Sequence, residues 1–264
     1  MSDYSRYQSL RIEKAQKLAT VTLNRPESRN QIDRQFHHEL QDIWRDLAED
    51  PDVNAILLTG AGKYFSVGGN VKGMTERPGG DVFAEGEMIE PRSARKIVNN
   101  ILDCEIPIVC AINGDCIGLA ATVALFCDIT VCAEDARIAD PHVKIGLVAG
   151  DGGAVIWPQL IGFARAKEYL MLARPFTAKE LAVMGVVNYA VTADQLDAKT
   201  NEIAQRLLKR NAYALAMTKR VLNKQMLANF NLVHDASLGY EFLNFYMQTQ
   251  QAKELGKGRG EDKL

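Results

Sequence analysis

One apolar segment, INGDCIGLAATVALFCD at Ile112–Asp128, decides the fold, because in it a strand passes through a turn into a helix. The strand ends at Asn113-Gly114, and residues 118–126 are apolar almost all round, as in a helix buried in a core. The first turn of a buried helix offers free N–H groups and a partial positive charge, which together bind an anion without a charged side chain. A purely structural strand–turn–helix is the plain alternative.

A second loop has related chemistry. The stretch GKYFSVGGNVKGM at Gly62–Met74 follows the buried strand AILLTG and contains Gly68-Gly69. Adjacent glycines let backbone N–H groups approach a ligand closely, although such pairs also mark ordinary turns. Taken together, the two loops predict that one N–H in Ser66–Asn70 and one in Asn113–Ala121 stabilise an enolate or an oxyanion.

Outside these loops the pattern predicts a β/α core at residues 1–195 and a helical region at 196–264. In the core, strands are predicted at 18–26, 55–60, 107–112, 129–134 and 185–191, and helices at 33–50, where Asp33 can cap the start, and 93–102. In the helical region, helices are predicted at 196–210, 214–230 and 232–254. The tail carries more apolar face than it can bury alone, which indicates packing on the core and on a neighbouring subunit.

The bulk composition excludes several classes of function. The 264 residues are 47% hydrophobic and 24% charged with a net charge of -2, which predicts no nucleic-acid partner and no membrane-surface partner. No apolar run reaches the ~18 residues of a membrane span, and the N-terminus lacks a signal-peptide core, so we expect a cytoplasmic protein. The five cysteines, which follow no CxxC spacing, are expected to be buried and reduced. They are Cys104, Cys110, Cys116, Cys127 and Cys132.

Over nearly its whole length the chain resembles the enoyl-CoA hydratase/isomerase (crotonase) superfamily. The resemblance is carried by TLNRPESRNQID, FSVGGNVKGM, PIVCAINGDCIGLAATVALFCDITVCAEDARIADP and GLVAGDGGAVIWPQLIGFARAKEYLMLARPFTAKELAVMGVVN, in this order. It implies an α/β fold built as a β-β-α spiral, with a helical C-terminal region that forms a homotrimer or a homohexamer. It also implies an acyl-CoA thioester substrate, with coenzyme A as part of the substrate and no tightly bound cofactor.

The resemblance assigns the two backbone donors to Gly69 and Leu119, and such a donor typically supplies ~3–4 kcal/mol of transition-state stabilisation. It also reveals a departure from the family. Typical hydratases use two glutamates, and at those positions this chain has Thr122 and His142. Threonine has no useful pKa near neutrality, so Thr122 cannot be a base, whereas it can hydrogen-bond a water, a substrate group or its own helix.

His142 is the candidate for proton transfer, because an imidazole has a pKa near ~6.5 and lies at the family's acid/base position. Asp151, nine residues on, would orient the ring and raise its basicity if the two side chains met. This spacing is similar to that of the β-diketone hydrolase branch, such as oxocamphor hydrolase. That branch also uses a glutamate from the C-terminal helices, for which Glu241 is the nearest match. The alternatives are a structural histidine and a solvated Glu241.

Three functions remain open at this stage. The first is hydration, lyase or isomerisation chemistry on an acyl-CoA, with His142 and Asp151 in place of the glutamates. The second is CoA-independent hydrolysis of a cyclic β-diketone by retro-Claisen C–C cleavage, and the third is a non-catalytic acyl-CoA-binding paralogue. The expected CoA contacts are Arg29, Gly69, Asn70, Val71 and Lys72, although the charged ones are equally typical of a solvated surface. The four histidines show no metal-ligand spacing, so no metal is expected.

Overall fold

The computed structural model describes residues 3–69 and 91–258, in which the strands form two sheets. The larger sheet has six strands in the order β1-β2-β3-β4-β6-β9, and the smaller has three in the order β5-β7-β8. The bounds are β1 Leu10–Ala15, β2 Leu18–Leu23, β3 Ala55–Gly60, β4 Ile108–Ile112, β5 Cys116–Ile117, β6 Ile129–Ala133, β7 Arg137–Ala139, β8 Phe176–Thr177 and β9 Tyr189–Val191.

In the large sheet β1 and β2 are antiparallel, and from β2 onward every pairing is parallel. Buried strands with apolar side chains on both faces read as continuous hydrophobic runs, which explains why β3 and β4 stand out in the sequence. The chain leaves β4, crosses to β5 in the small sheet and enters a short helix at once. The start of that helix therefore lies at the end of β5 in the small sheet.

The helices of the described residues are α1 Arg34–Ala48, α2 Pro91–Asp103, α3 Leu119–Leu125, α4 Gly153–Ile161, α5 Phe163–Leu172, α6 Ala178–Val183, α7 Leu196–Leu208 and α8 Ala212–Gly258. Asp33 caps α1 as predicted, because its side chain accepts a hydrogen bond from the Phe36 N–H at 2.9 Å. Six of the seven residues of α3 are buried, as expected of a helix inside the core.

The C-terminal region packs on the core. Helix α7 contacts β3, β4 and β6, and helix α8 contacts α2 and α4. The division into regions 1–195 and 196–264 stays a prediction.

Several elements differ from the sequence expectation. The strand predicted at 185–191 is shorter, Tyr189–Val191, and the sequence did not predict strands β1, β5, β7 and β8 or helices α4, α5 and α6. The C-terminal helices differ most. Residues 212–258 form a single helix, so the predicted helix end between Phe230 and Leu232 was wrong. The segment contains no proline, and a single asparagine costs a helix interior less than about 1 kcal/mol, which is too little to end it. Arg95 of α2 binds Asn231 and also Asp235, which fixes the middle of α8 to the core.

Two expectations concern the whole chain. The five cysteines are buried free thiols, as predicted. Among the described residues, no helix combines the length and the apolarity that crossing a bilayer requires.

Candidate active site

The two glycine-containing loops meet. The Ser66 N–H donates to the Asp115 carbonyl at 3.0 Å, and the Ile117 N–H donates to the Ser66 carbonyl at 3.0 Å. At Gly68 the backbones are so close that a Cβ atom would lie 2.4 Å from the Ile117 carbonyl oxygen. Gly68 has a φ of +78°, so a residue with a side chain is excluded by space and by conformation. The two loops are therefore in direct contact, and their joint role in binding an oxyanion stays a prediction.

Each loop presents one predicted N–H group. Leu119 is the first residue of α3, and Gly118 is its N-cap. The Gly118 N–H donates to the Ala139 carbonyl at 2.8 Å, and the first hydrogen bond within the helix runs from the Thr122 N–H to the Gly118 carbonyl at 3.1 Å. Within the residues that the structure describes, neither the Leu119 N–H nor the Gly69 N–H donates a hydrogen bond to the protein. Two free donors beside the N-terminus of a buried helix are suited to an oxygen that carries negative charge.

A buried asparagine fixes the first of these loops. The Asn30 amide donates to three carbonyls, those of Ala61 at 3.0 Å, Tyr64 at 2.9 Å and Phe65 at 3.0 Å. The Ser66 hydroxyl then donates to the Asn30 carbonyl at 2.7 Å and accepts from the Gly68 N–H at 3.1 Å. Loop residues held by this many bonds keep their N–H groups in one direction.

The three predicted proton-transfer side chains also meet, although they come from distant parts of the chain. His142 begins the turn after β7, Asp151 precedes α4, and Glu241 lies in α8. Nε2 of His142 is 3.6 Å from an Asp151 oxygen and 3.6 Å from a Glu241 oxygen. Both distances exceed a hydrogen bond, but each is short enough for a strong charge interaction.

The other ring nitrogen binds a residue that the sequence analysis missed. Nδ1 of His142 lies 2.5 Å from an Asp140 oxygen, and the same oxygen accepts from the His142 N–H at 3.3 Å. The orienting contact expected of Asp151 is therefore made by Asp140. The sequence analysis missed Asp140 because an Asp-Pro-His run is typical of a turn. The signal that could have found it is that a buried imidazole needs a partner on each ring nitrogen.

Thr122 connects the buried helix with this cluster. Its hydroxyl donates to an Asp151 oxygen at 2.9 Å, so it is not bonded back to its own helix. Two glycines make room for the arrangement: a Cβ at Gly150 would lie 2.4 Å from a Glu241 oxygen, and a Cβ at Gly152 would lie 2.7 Å from the Thr122 methyl group. The Gly-rich turn AGDGG is thus required by close packing around the carboxylates.

The electrostatics of the cluster follow from three carboxyl groups around one buried imidazole. Burial lowers the pKa of His142, but the charges of Asp151, Asp140 and Glu241 outweigh it and raise the pKa to about 10. Burial, reinforced by the Asp151 charge and opposed by His142, raises the pKa of Glu241 to about 8. Burial likewise raises the pKa of Asp151. At neutral pH the site therefore holds an imidazolium and at least one carboxyl group able to exchange a proton.

The expectation that no metal binds stays a prediction. In the described part of the chain, Asp140, His142 and Asp151 offer potential ligand atoms within 4.8 Å of one another. Nδ1 of His142, however, is already held by Asp140.

Known proteins share this arrangement of sheets, loops and helices. A sequence model described as enoyl-CoA hydratase/isomerase matches residues 13–259. The chain belongs to the enoyl-CoA hydratase/isomerase family. It is 28% identical over 249 residues to the crotonyl-CoA hydratase of Syntrophomonas wolfei, which covers 94% of this chain and 93% of that protein. A solved enoyl-CoA hydratase/isomerase from Mycobacterium paratuberculosis superposes with a TM-score of 0.84 at 34% identity, covering 92% of this chain and 95% of that structure.

Membership of the enoyl-CoA hydratase/isomerase family confirms the predicted crotonase fold, with its α/β core and helical C-terminal region. The expected CoA contacts are only partly visible. Arg29 is exposed, its carbonyl accepts from the Val67 N–H at 3.2 Å, and its guanidinium lies 5.9 Å from the centre of the Tyr64 ring. Asn70, Val71 and Lys72 lie outside the described residues.

Proposed function

We propose that this protein is an enzyme that acts on acyl-CoA thioesters by hydration or its reverse, through a thioester enolate. The observation that carries the proposal is the joint position of His142, Asp151 and Glu241, with both carboxylates 3.6 Å from the same ring nitrogen. In a family whose members include hydratases, these groups take the place of the two usual glutamates. CoA enters as part of the substrate, and no separate cofactor is needed for proton transfer and addition of water.

The N–H groups of Gly69 and Leu119 supply the electrostatic part of the mechanism. When water adds to the β-carbon of a 2-enoyl thioester, negative charge moves to the thioester oxygen. Two donors directed at that oxygen stabilise the enolate more than the neutral substrate, which is how a binding contact lowers a barrier. The Asn30 and Ser66 bonds keep the Gly69 donor in place before the substrate arrives.

The carboxylates and the imidazolium supply the proton transfers. In the hydration direction, ionised Glu241 removes a proton from water as the water oxygen attacks the β-carbon, and the neighbouring Asp151 helps to keep His142 protonated. His142, protonated because its pKa is about 10, donates a proton to the α-carbon of the enolate. In the reverse direction neutral His142 removes the α-proton, which is the role as a base expected from the sequence. Thr122 keeps Asp151 oriented through its 2.9 Å bond.

A second candidate rests on one observation. The position of Glu241 beside His142 is what the resemblance to the β-diketone hydrolase branch requires. In that reaction the cluster would activate water for attack on a cyclic 1,3-diketone, and the two N–H groups would hold the leaving enolate.

The experiment compares two substrates under the same conditions. Crotonyl-CoA should be hydrated to 3-hydroxybutyryl-CoA, detected by mass spectrometry, whereas cyclohexane-1,3-dione should remain unchanged. Calorimetric titration with free CoA tests binding without chemistry. Turnover of the dione alone would replace the first proposal by the second. CoA binding without turnover of a panel of enoyl and 3-hydroxyacyl thioesters would favour a non-catalytic paralogue.

A further inference from the structure

The contact between Asp140 and Nδ1 of His142 determines how the imidazole ring lies in the site. Asp140 is 2% exposed, and one of its oxygens accepts bonds from both the His142 ring and the His142 backbone N–H. Because the same Asp140 oxygen binds the backbone and the ring of His142, it restricts the backbone position of this residue and the orientation of its ring. Since Nδ1 is occupied, only Nε2 remains to face Asp151 and Glu241.

Asp140 itself is held tightly. Its N–H donates to the Tyr169 hydroxyl at 3.0 Å, and that hydroxyl donates to the Ile138 carbonyl at 3.2 Å. The second oxygen of Asp140 is buried without a hydrogen-bond partner. It lies against Gly153, where an added Cβ atom would be 2.1 Å from this oxygen. In the described residues His142 is the cation paired with Asp140. A buried carboxylate is costly unless it is paired and hydrogen-bonded, so the charge of Asp140 favours the protonated form of His142.

We infer that Asp140 is a positioning residue that fixes the orientation and the tautomer of His142, so that Nε2 carries the reacting proton. A carboxylate can only accept at Nδ1, so the neutral ring keeps its proton there and leaves an Nε2 lone pair toward the substrate. The catalytic consequence of this inference rests on the proposed function. The orientation and the titration of the His142 ring do not depend on the proposed function.

The test measures the imidazole before it measures turnover. In protein labelled with ¹⁵N-histidine, NMR titration gives the pKa and the tautomer of His142, assigned by comparison with His142→Gln. In Asp140→Asn we expect a lower pKa and a population of the Nε2–H tautomer, because the new amide can donate to Nδ1. With a thioester substrate, kcat should fall by ~10²–10⁴-fold with little change in KM, as for the aspartate of a Ser-His-Asp triad.

A second variant keeps the charge and moves the carboxylate. Gly153→Ala should displace Asp140, since the added Cβ meets its oxygen at 2.1 Å, and should shift the His142 titration in the same direction. The matched control is Asp50→Asn, which removes a buried aspartate bound to Lys14 and Tyr4 and should lower stability without changing His142.

An unchanged pKa and tautomer of His142 in Asp140→Asn would overturn the inference, whatever the activity. Absence of thioester turnover in the wild-type protein would instead contradict the proposed function and leave the titration result to decide the role of Asp140.

Discussion

At the scale of single residues, the site consists of one imidazole whose two nitrogens have different tasks. Nδ1 is held by Asp140, and Nε2 faces two carboxylates. The sequence pointed to His142, Asp151 and Glu241, because a family resemblance fixes positions along the chain. It did not point to Asp140, because the ring-orienting role was expected of Asp151 and an Asp-Pro-His run is typical of an ordinary turn. Only the folded structure shows that His142 lies beside Asp151, 9 residues away in sequence, and beside Glu241, 99 residues away.

The raised pKa values predict an unusual pH dependence. Glu241 has to lose its proton to act as a base, and its pKa is about 8. His142 has to keep its proton to act as an acid, and its pKa is about 10. We therefore expect kcat/KM for hydration to rise through about pH 8 and to fall through about pH 10. Glu241→Gln should change the acidic limb, and an optimum near pH 6 would contradict the assignment.

The Thr122 hydroxyl gives a second prediction at this scale. Its bond to Asp151 opposes the effect of burial, which raises the pKa of that carboxyl group. Thr122→Val keeps the shape and removes the bond, which is worth ~1.5–3 kcal/mol for a charged acceptor. We expect kcat to fall by ~10–100-fold in steady-state assays. The control Thr130→Val removes a hydroxyl bound to Asn188 outside the site and should lower only the free energy of unfolding. Equal activity of the two variants would exclude a role for Thr122.

At the scale of elements, the loops that carry the backbone donors are positioned by hydrogen bonds from elsewhere in the chain. The sequence predicted the strand–turn–helix at 112–128 closely, because glycines and an apolar run mark its boundaries. The pairing of Ser66 with Asp115 and Ile117 could not be predicted, since it depends on parallel strands brought together by the sheet. The continuity of helix α8 could not be predicted either, since it is supported by tertiary contacts of Arg95 with Asn231 and Asp235.

The loop network predicts the effect of Ser66→Ala. This change removes the bond to the Asn30 carbonyl and the acceptor of the Gly68 N–H, so the Gly69 donor loses its support. We expect kcat to fall by ~10–100-fold, less than the ~3–4 kcal/mol lost when a donor is removed outright. Ser28→Ala, in a turn where the hydroxyl donates to Arg25, is the control and should retain activity. A Ser66→Ala protein with unchanged kcat would exclude this supporting role.

At the scale of the whole molecule, the C-terminal helix leaves large apolar side chains uncovered. On α8, Leu232 is 80% exposed, Tyr240 63% and Leu243 54%. Exposed apolar side chains in such number are typical of an interface between protein chains. The exposed face predicts an oligomer, and the family resemblance implies a homotrimer or a homohexamer, to be checked by sedimentation velocity at several concentrations. A monomer at micromolar concentration would contradict the prediction.

The proposed mechanism requires that a thioester enolate forms between the Gly69 and Leu119 donors and exchanges its α-proton with His142. The direct measurement is incorporation of deuterium at the α-carbon of 3-hydroxybutyryl-CoA in D₂O, followed by NMR for wild-type protein and for His142→Ala. We predict rapid incorporation by the wild type and a loss of ~10²–10⁴-fold in the variant, with CoA binding retained. Equal incorporation by both proteins would exclude His142 as the group that exchanges the α-proton.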